Sequence, residues 1–390
     1  MAPAPPITNG RYSFSFCDDD GWFDDELELY IQVQARIYRN GKYVVAVEDD
    51  GVIDDIYEFK STITKSSGGS YTRDLRATVF QSEVLNIADA VYEGWQMWND
   101  HGGAKGDDAI FDSEAEVHYE PGENHKNSFY NDKFLTGGNV FNNDDITVAD
   151  DPSDPDPWDD GVILHEWAHM ADDHYSCDDP VYESHSLTGN LGDRELAWSE
   201  AWGDYYQSAT RHYFKHRDPS YYLDVNGSGN AGISVDLETF DATYATRGAD
   251  VEGAIAAMLW DFYDTNDDPR VPAMGATPAT GPWDKVAHGH RAIQEVMTDP
   301  TFESNGDIFD DTCTVYSFLE AWEKLGKPTN KDTSEVVVRN ANISNFFRNP
   351  TGLVVAQSAQ TTQPAQPNAP ELGLVGPDGR DVRWWKQLTM

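Results

Sequence analysis

The sequence predicts an α+β protein: a small antiparallel β domain, then a short mixed lobe, then a mainly helical lobe. Three observations carry that prediction. Apolar residues alternate with period two in the first 70 residues, they recur at three- and four-residue spacing from Ser82, and helical patterns dominate from Gly161 to Gly326. The 390 residues, 39% hydrophobic and 12% aromatic, suffice for two domains or one large domain with an accessory piece. They can also bury a core that a disordered, highly charged chain could not form.

Between Glu26 and Tyr38, residues Leu27, Leu29, Ile31, Val33, Ala35 and Ile37 alternate with Glu28, Gln32, Gln34 and Arg36, as in a strand with one buried face. Strand-like runs from Tyr43 (YVVAV) and Ile56 (IYEFKSTIT) follow, set off by the turn signals NGK and EDDG, so residues 1–70 read as a small antiparallel unit. SSGGS, Ser66 to Ser70, reads as a linker. From Ser82, the stripe Leu85, Ala88, Val91, Tyr92 and Trp95 marks an amphipathic helix that NDHGG stops. The stretches AEVHYEPG and NVFNNDDITVAD are strand-like, and DDPSDPDPWDD closes a mixed lobe spanning 71–160. Residues 161–345 form the helical lobe. The tail, 346–390, contains QSAQTTQPAQPNAP and is expected to be disordered or extended.

The chain carries 27 basic and 69 acidic residues, a net charge of −42. That sign opposes nucleic acid and anionic membranes as partners, since phosphate binding needs a positive field. The acid is spread along the chain and reads as a solvated surface, suited to high salt, to calcium-rich surroundings or to solubility. Three cysteines, Cys17, Cys177 and Cys313, are too few for a disulfide scaffold and allow one bridge, such as Cys177 with Cys313. No stretch approaches the roughly 20 apolar residues of a membrane span. The opening MAPAPPITNG has neither a basic nor an apolar signal region. An extracellular location is expected, with any signal outside this sequence.

The segment that carries chemistry is GVILHEWAHMADDHYS, Gly161 to Ser176. Four-residue spacing puts His165 and His169 on one helix face, where both imidazoles can reach a single metal. Glu166, beside the first ligand, can serve as base toward a metal-activated water. By residue frequencies a chance HExxH arises on the order of once in a hundred such sequences, so Zn2+ is the expected cofactor.

A third protein ligand is needed. His174 faces away on a continuing helix. Glu200, in ELAWSEAWGDYY, lies 31 positions after His169 on a second helical pattern. It sits one turn from Asp204, where two bare carboxylates would repel. Zinc at Glu200, with Asp204 accepting the outer N–H of a zinc histidine, accounts for both acids. Trp198 and Trp202 read as core.

HEWAH followed by SEAWGD resembles the gluzincin pattern, HExxH plus a later ExxxD, of the thermolysin and fungalysin families of zinc metallopeptidases. The resemblance implies a zincin-like catalytic domain, with His165, His169 and Glu200 as zinc ligands and Glu166 as catalytic base. It further implies Asp204 as the carboxylate orienting a zinc histidine, and a peptide or protein substrate. VEGAIAAMLWDFYD, Val251 to Asp264, is similar to a fungalysin-type helix. The β unit resembles the tail of a transthyretin-like or carboxypeptidase-regulatory β-sandwich, which would make it a spacer or binding module.

The chain also departs from its models. A metzincin would have Gly and His where Asp172 and Tyr175 stand. The histidine with which thermolysin helps to stabilise its tetrahedral intermediate has no counterpart in RGADVEGA, which leaves Tyr244, His185, His288 and His290 as substitutes. A GAMEN-type motif is absent, which favours an endopeptidase. The alternative is a zincin-fold surface or structural protein that binds zinc with little or no catalysis; a non-peptidase zinc hydrolase is a third reading.

Acidic loops at Asp18, Asp150 and Asp264 invite Ca2+ as a second cofactor. Only Asp264, Asn266 and Asp268 have the alternate spacing of an EF-type loop, and Pro269 stands where that loop needs glycine. A solvated acidic turn is the simpler reading.

Overall fold

Side-chain alternation places Ile31, Val33, Ala35 and Ile37 in the core, as expected, but the run holding them is divided between sheets. The computed structural model describes residues 27–39, 41–49, 55–62, 64–66, 76–102, 114–123, 125–131, 145–176, 184–225, 231–244, 246–265, 285–303, 313–344 and 346–347, with the pairs 374–375, 381–382 and 388–389. The first strands are β1 (Leu27–Leu29), β2 (Gln32–Gln34), β3 (Arg36–Arg39), β4 (Lys42–Glu48), β5 (Glu58–Lys60) and β6 (Thr64–Ser66). They pair antiparallel as β1 with β6, β2 with β5 and β3 with β4.

Helix α1 (Val79–Asp100) starts in a capping box: Thr78 Oγ1 accepts from the Gln81 amide, and the Gln81 side chain accepts from the Thr78 amide. Strands β7 (Ala115–His118), β8 (Phe129–Asn131) and β9 (Asp145–Thr147) complete a five-stranded sheet of order β3-β4-β7-β9-β8. In it β4, β7 and β9 run parallel, and β8 closes one edge antiparallel to β9.

This sheet crosses the boundary drawn at residue 70, so the separate, wholly antiparallel unit read there is corrected. The reason lies in β4, where Val44 to Val47 are buried on both faces. A strand apolar on both sides needs neighbours and cover all round, as in parallel sheets. Here β7 supplies the neighbour, and α1 packs on the sheet.

The second lobe contains α2 (Asp160–Tyr175), α3 (Arg194–Tyr213), the hairpin β10 (Tyr221–Val225) and β11 (Ala231–Asp236), α4 (Phe240–Thr243) and α5 (Glu252–Tyr263). It ends with α6 (His290–Met297), α7 (Pro300–Glu303), α8 (Val315–Lys324) and α9 (Lys331–Arg339). The hairpin adds two strands to a lobe that reads in sequence as mainly helical. Short extended pieces follow in the tail: β12 (Leu374–Val375) pairs with β13 (Asp381–Val382), and β14 (Leu388–Thr389) adds to β2.

Trp98 of α1, fully buried, joins the lobes; its ring centroid lies 6.3 Å from Trp167 of α2, 6.2 Å from Trp202 and 6.1 Å from Tyr206 of α3. Trp198 packs on Phe302 and Phe318, so both tryptophans of the ELAWSEAWGD run are core, as expected. Cys313 is disulfide-bonded, and Cys17 and Cys177 lie outside the described residues. Among those residues no helix is long and apolar enough to cross a membrane.

Candidate metal centre

Helices α2 and α3 pack against each other through the faces that bear the motif residues. Asp193 caps α3, its Oδ1 accepting from the amides of Glu195 and Leu196, and the Trp202 indole donates to the Ala168 carbonyl of α2 at 3.1 Å. At the next residue, Gly203, the helices approach so closely that a Cβ would lie 2.7 Å from the His165 ring. Absence of a side chain at 203 is what lets the imidazole lie flat against α3.

The structure brings His165, His169 and Glu200 together. Their Nε2 atoms are 3.0 Å apart, and Glu200 Oε2 stands 3.1 Å from His165 Nε2 and 3.6 Å from His169 Nε2. Tetrahedral zinc with bonds of 2.0–2.1 Å sets its ligand atoms about 3.3–3.4 Å from one another, a value this triangle straddles. The donor set, two imidazoles and one carboxylate, is one that zinc takes in catalytic sites.

The outer nitrogens are also met. His165 Nδ1 stands 3.3 Å from Oδ1 of the fully buried Asp204, within ion-pair range though off the line of a good hydrogen bond. His169 Nδ1 is 3.3 Å from Ser199 Oγ. Glu166 Oε2 accepts from the Tyr130 amide of β8 at 2.9 Å, which ties this carboxylate to the sheet edge.

Imidazoles and carboxylates shift one another strongly here. Burial works against charge on His165, yet the Asp204 and Glu200 carboxylates outweigh it and hold its pKa well above the ordinary imidazole value. His169 moves up in the same way, burial being outweighed by Glu200. Burial would raise Glu200, but the two imidazoles bring it well below the usual carboxylate range. In a metal-free cluster, protons supply the positive charge that a divalent ion would bring while displacing them.

Of the four substitutes for the missing histidine, one reaches the cluster. His185 Nε2 is 3.5 Å from Glu200 Oε2, and its Nδ1 is 3.0 Å from Oε2 of Glu252, the first residue of α5. Glu252 pushes His185 up to about 9, while burial, then Asp204, pushes Glu252 up to about 8. Both groups move up.

Tyr244 packs on Phe240, with ring centroids 4.9 Å apart. His288 contacts Thr333 Oγ1 at 3.2 Å among Phe262 and Trp322, and burial lowers it to about 4. His290 meets the Tyr205 hydroxyl at 2.9 Å between aromatic rings and is likewise held far down by burial. The structure brings neither His288 nor His290 to the cluster. His174 Nε2 lies 3.9 Å from Asp173 Oδ2.

Sequence reasoning missed Ser199, Gly203, the Tyr130 amide and Glu252. A carboxylate in the apolar run VEGAIAAMLW was the one available signal for Glu252; the others depend on how two elements meet.

The acidic loops divide. The Asp18 loop lies outside the described residues, as does the one at Asp264 beyond its first two positions. In the middle loop Asp150 accepts from the amides of Gly122 and His125, and Asp151 from Ser153, which is loop capping. Asp154 and Asp156 approach Asp224 of β10, with an oxygen from each within 4.8 Å of the others. Burial, reinforced by Asp159, Asp224 and Asp154, pushes Asp156 up to about 8 against the bond from Ser128.

Residues 108–290 match the family model of the Mycolysin C-terminal domain, a span that holds every residue of the cluster. A stretch of 133 residues is 32% identical to an uncharacterized protein of Archaeoglobus fulgidus, covering 33% of this chain and 34% of that protein. The match thus spans about a third of that relative's length. The family match, over less than half of the chain, supports a relation to thermolysin-like metallopeptidases, and the structure is itself of mixed helix and sheet.

Proposed function

We propose that the chain is a zinc-dependent metallopeptidase, an endopeptidase that hydrolyses peptide bonds with Glu166 as general base. The observation that carries this reading is the ligand triangle of His165, His169 and Glu200, with a carboxylate on the residue beside the first ligand. Zn2+ held there would supply Lewis acidity, lowering the pKa of water and polarising a carbonyl. Asp204 and Ser199 fix the ring orientation of His165 and His169 by contacting their outer nitrogens. Glu166 accepts a proton as the water oxygen bonds to the carbonyl carbon, and gives it to the departing amine nitrogen as the C–N bond breaks.

The sheet edge offers a place for substrate. Among the described residues strand β8 ends the five-stranded order, and an extended peptide can add to such an edge by main-chain hydrogen bonds. The bond from the Tyr130 amide to Glu166 lays that edge along the base, so a bound peptide would run past the cluster. The bridge at Cys313 and the similarity to mycolysin favour an extracellular working place.

The purified protein is expected to hold one equivalent of zinc and to cleave a denatured protein. A chelator should stop cleavage, and Glu166→Gln should stop it while keeping the metal. Zinc retained with no cleavage by the wild-type protein would favour the other reading, a zinc-binding scaffold on the same fold.

A further inference from the structure

The reaction proposed above makes no use of His101 or His290, and the fold sets these two imidazoles against each other where the lobes meet. His101 is the C-cap of α1 and His290 the first residue of α6; their ring centroids lie 5.0 Å apart, with the planes at 88°. His290 is 1% exposed. Its Nδ1 meets the Tyr205 hydroxyl at 2.9 Å, and its Nε2 has no hydrogen-bond partner among the described residues. His101 Nδ1 donates to the Met97 carbonyl at 2.8 Å, which leaves Nε2 as the site for an added proton.

The seam between the lobes is held here. One turn along α6, Gln294 donates to the Trp98 carbonyl of α1 at 3.1 Å. On its other side the His290 ring lies 6.3 Å from that of Trp202, whose indole fastens α3 to α2. Such a seam suits two neutral rings. Two charged ones would stand 5.0 Å apart where little water reaches, repelling each other with neither keeping its hydration.

Burial, then His101, holds His290 neutral, and no carboxylate among the described residues counters them. From α1 comes Asp100, which accepts from the Tyr213 hydroxyl at 2.9 Å and acts on His101. Helix α3 presents the phenols of Tyr205 and Tyr206. Helix α5 brings Tyr263 against Tyr205, with Asp264 near both and Asp261 bonded by Asn340. On α6 itself Arg291 adds positive charge toward His101, and Glu295 is held by Lys327. Glu320, Glu323 and Lys324 of α8 are exposed, and Asp299, before α7, caps Thr301. His288, two residues back, faces Phe262 and Trp322.

We propose that His101 and His290 form an acid-sensitive latch between the lobes: while neutral they let α6 lie on the end of α1, and when both take up protons they part the seam. The proposal stands apart from the peptidase reading, since it uses no residue of the cluster. Burial lowers both rings from the ordinary imidazole value, so below about pH 6.5 the unfolded chain binds more protons than the native one. Stability from this pair is complete above that pH and is lost progressively as pH falls from there to the lowered native values.

The test follows urea unfolding of the full chain, of His290→Gln, of His101→Gln and of the double variant, from about pH 7.5 to about pH 5. Glutamine takes up no proton yet can still bond the Tyr205 hydroxyl or the Met97 carbonyl. The quantity read is the ratio of variant to wild-type folding constants, in which the other titrating groups cancel, including His288, which burial lowers to about 4. Below about pH 6.5 this ratio should rise by up to about tenfold per pH unit for each histidine removed, and by up to about a hundredfold per unit for the double variant. A packing defect at 290 lowers the constant at every pH and leaves the slope unchanged. His101→Gln, at the less buried ring, supplies the same slope if the other variants do not fold. Amide exchange reads the opening itself: as pH falls, α6 should lose protection in wild type more than α9 does, and should keep it in the double variant.

Ratios that stay flat across the range overturn the latch. So does α6 protection that falls equally in wild type and double variant, because the seam would then open for another reason. Rising ratios with α6 as protected as α9 at every pH would make the pair a contributor to global stability alone, and overturn the parting of the seam.

Discussion

Replacing Gly203 with alanine tests the packing from which the proposed metal centre is built. The new Cβ would stand 2.7 Å from Cε1 and Nδ1 of His165 and 2.8 Å from its Nε2. Ordinary carbon contacts lie at about 3.5–4.0 Å, so ring or helix must give by about 0.8–1.3 Å. Metal–ligand distances tolerate only about 0.2 Å.

Two opposing effects act on folding. Alanine is better than glycine in a helix by about 0.8–1.0 kcal/mol, while overpacking costs typically about 1–3 kcal/mol. Metal-free stability should therefore fall by at most about 2 kcal/mol. Zinc affinity should fall at least as far as on loss of a group that orients a ligand, about 10–100-fold. Urea unfolding of the metal-free protein and competition with a chromophoric chelator measure the two quantities separately. Zinc affinity within about twofold of wild type would refute the argument that the imidazole depends on a bare backbone at 203.

Removing the carboxylate behind His165 by Asp204→Ala should weaken zinc by about 10–100-fold, read by the same competition, and Ser199→Ala should do so by less, since a neutral hydroxyl is the weaker partner. Asp156 should make stability depend on pH. Its folded pKa of about 8 lies above the unfolded value of about 3.9, so between these values the native state holds a proton that the unfolded chain has released. Stability should fall as pH rises from about 4 to about 8, by at most about 1.4 kcal/mol per unit. Asp156→Asn should remove that component; unfolding midpoints of the two proteins that run parallel across the range would contradict the assignment.

The closeness of His165 and His169 was legible in the sequence because four-residue spacing on a helix fixes geometry without knowledge of the rest of the chain. Glu200 could be reached because its one-turn relation to Asp204 raises a repulsion that a metal relieves. Residues that depend on contact between elements left no such trace. Ser199 and Gly203 gain their roles only when α3 lies on α2, and the Tyr130 amide only when a three-residue strand is laid beside α2. The substitutes His185, His288 and His290 could not be told apart in sequence, because what separates them is burial: two stand among core rings, and one stands beside a carboxylate at the mouth of the cluster.

The boundary at residue 70 was misplaced for a related reason. Alternation in Glu26 to Tyr38 shows one buried face but does not say which strands will pair. The apolar run from Tyr43 to Val47, read as one more strand of a small unit, contained the information that it needed neighbours on both edges.

The meeting of α2 and α3 has a mechanical consequence. An indole pinned to a carbonyl and, one residue later, an imidazole seated on bare backbone fasten the two helices at adjacent points, so neither can slide or rotate without the other. His165, His169 and Glu200, the proposed ligands, all ride on that single body. In the proposed peptidase, any rearrangement that admits substrate therefore falls to parts outside that body, among them β8 and the segment from residue 184 to 193.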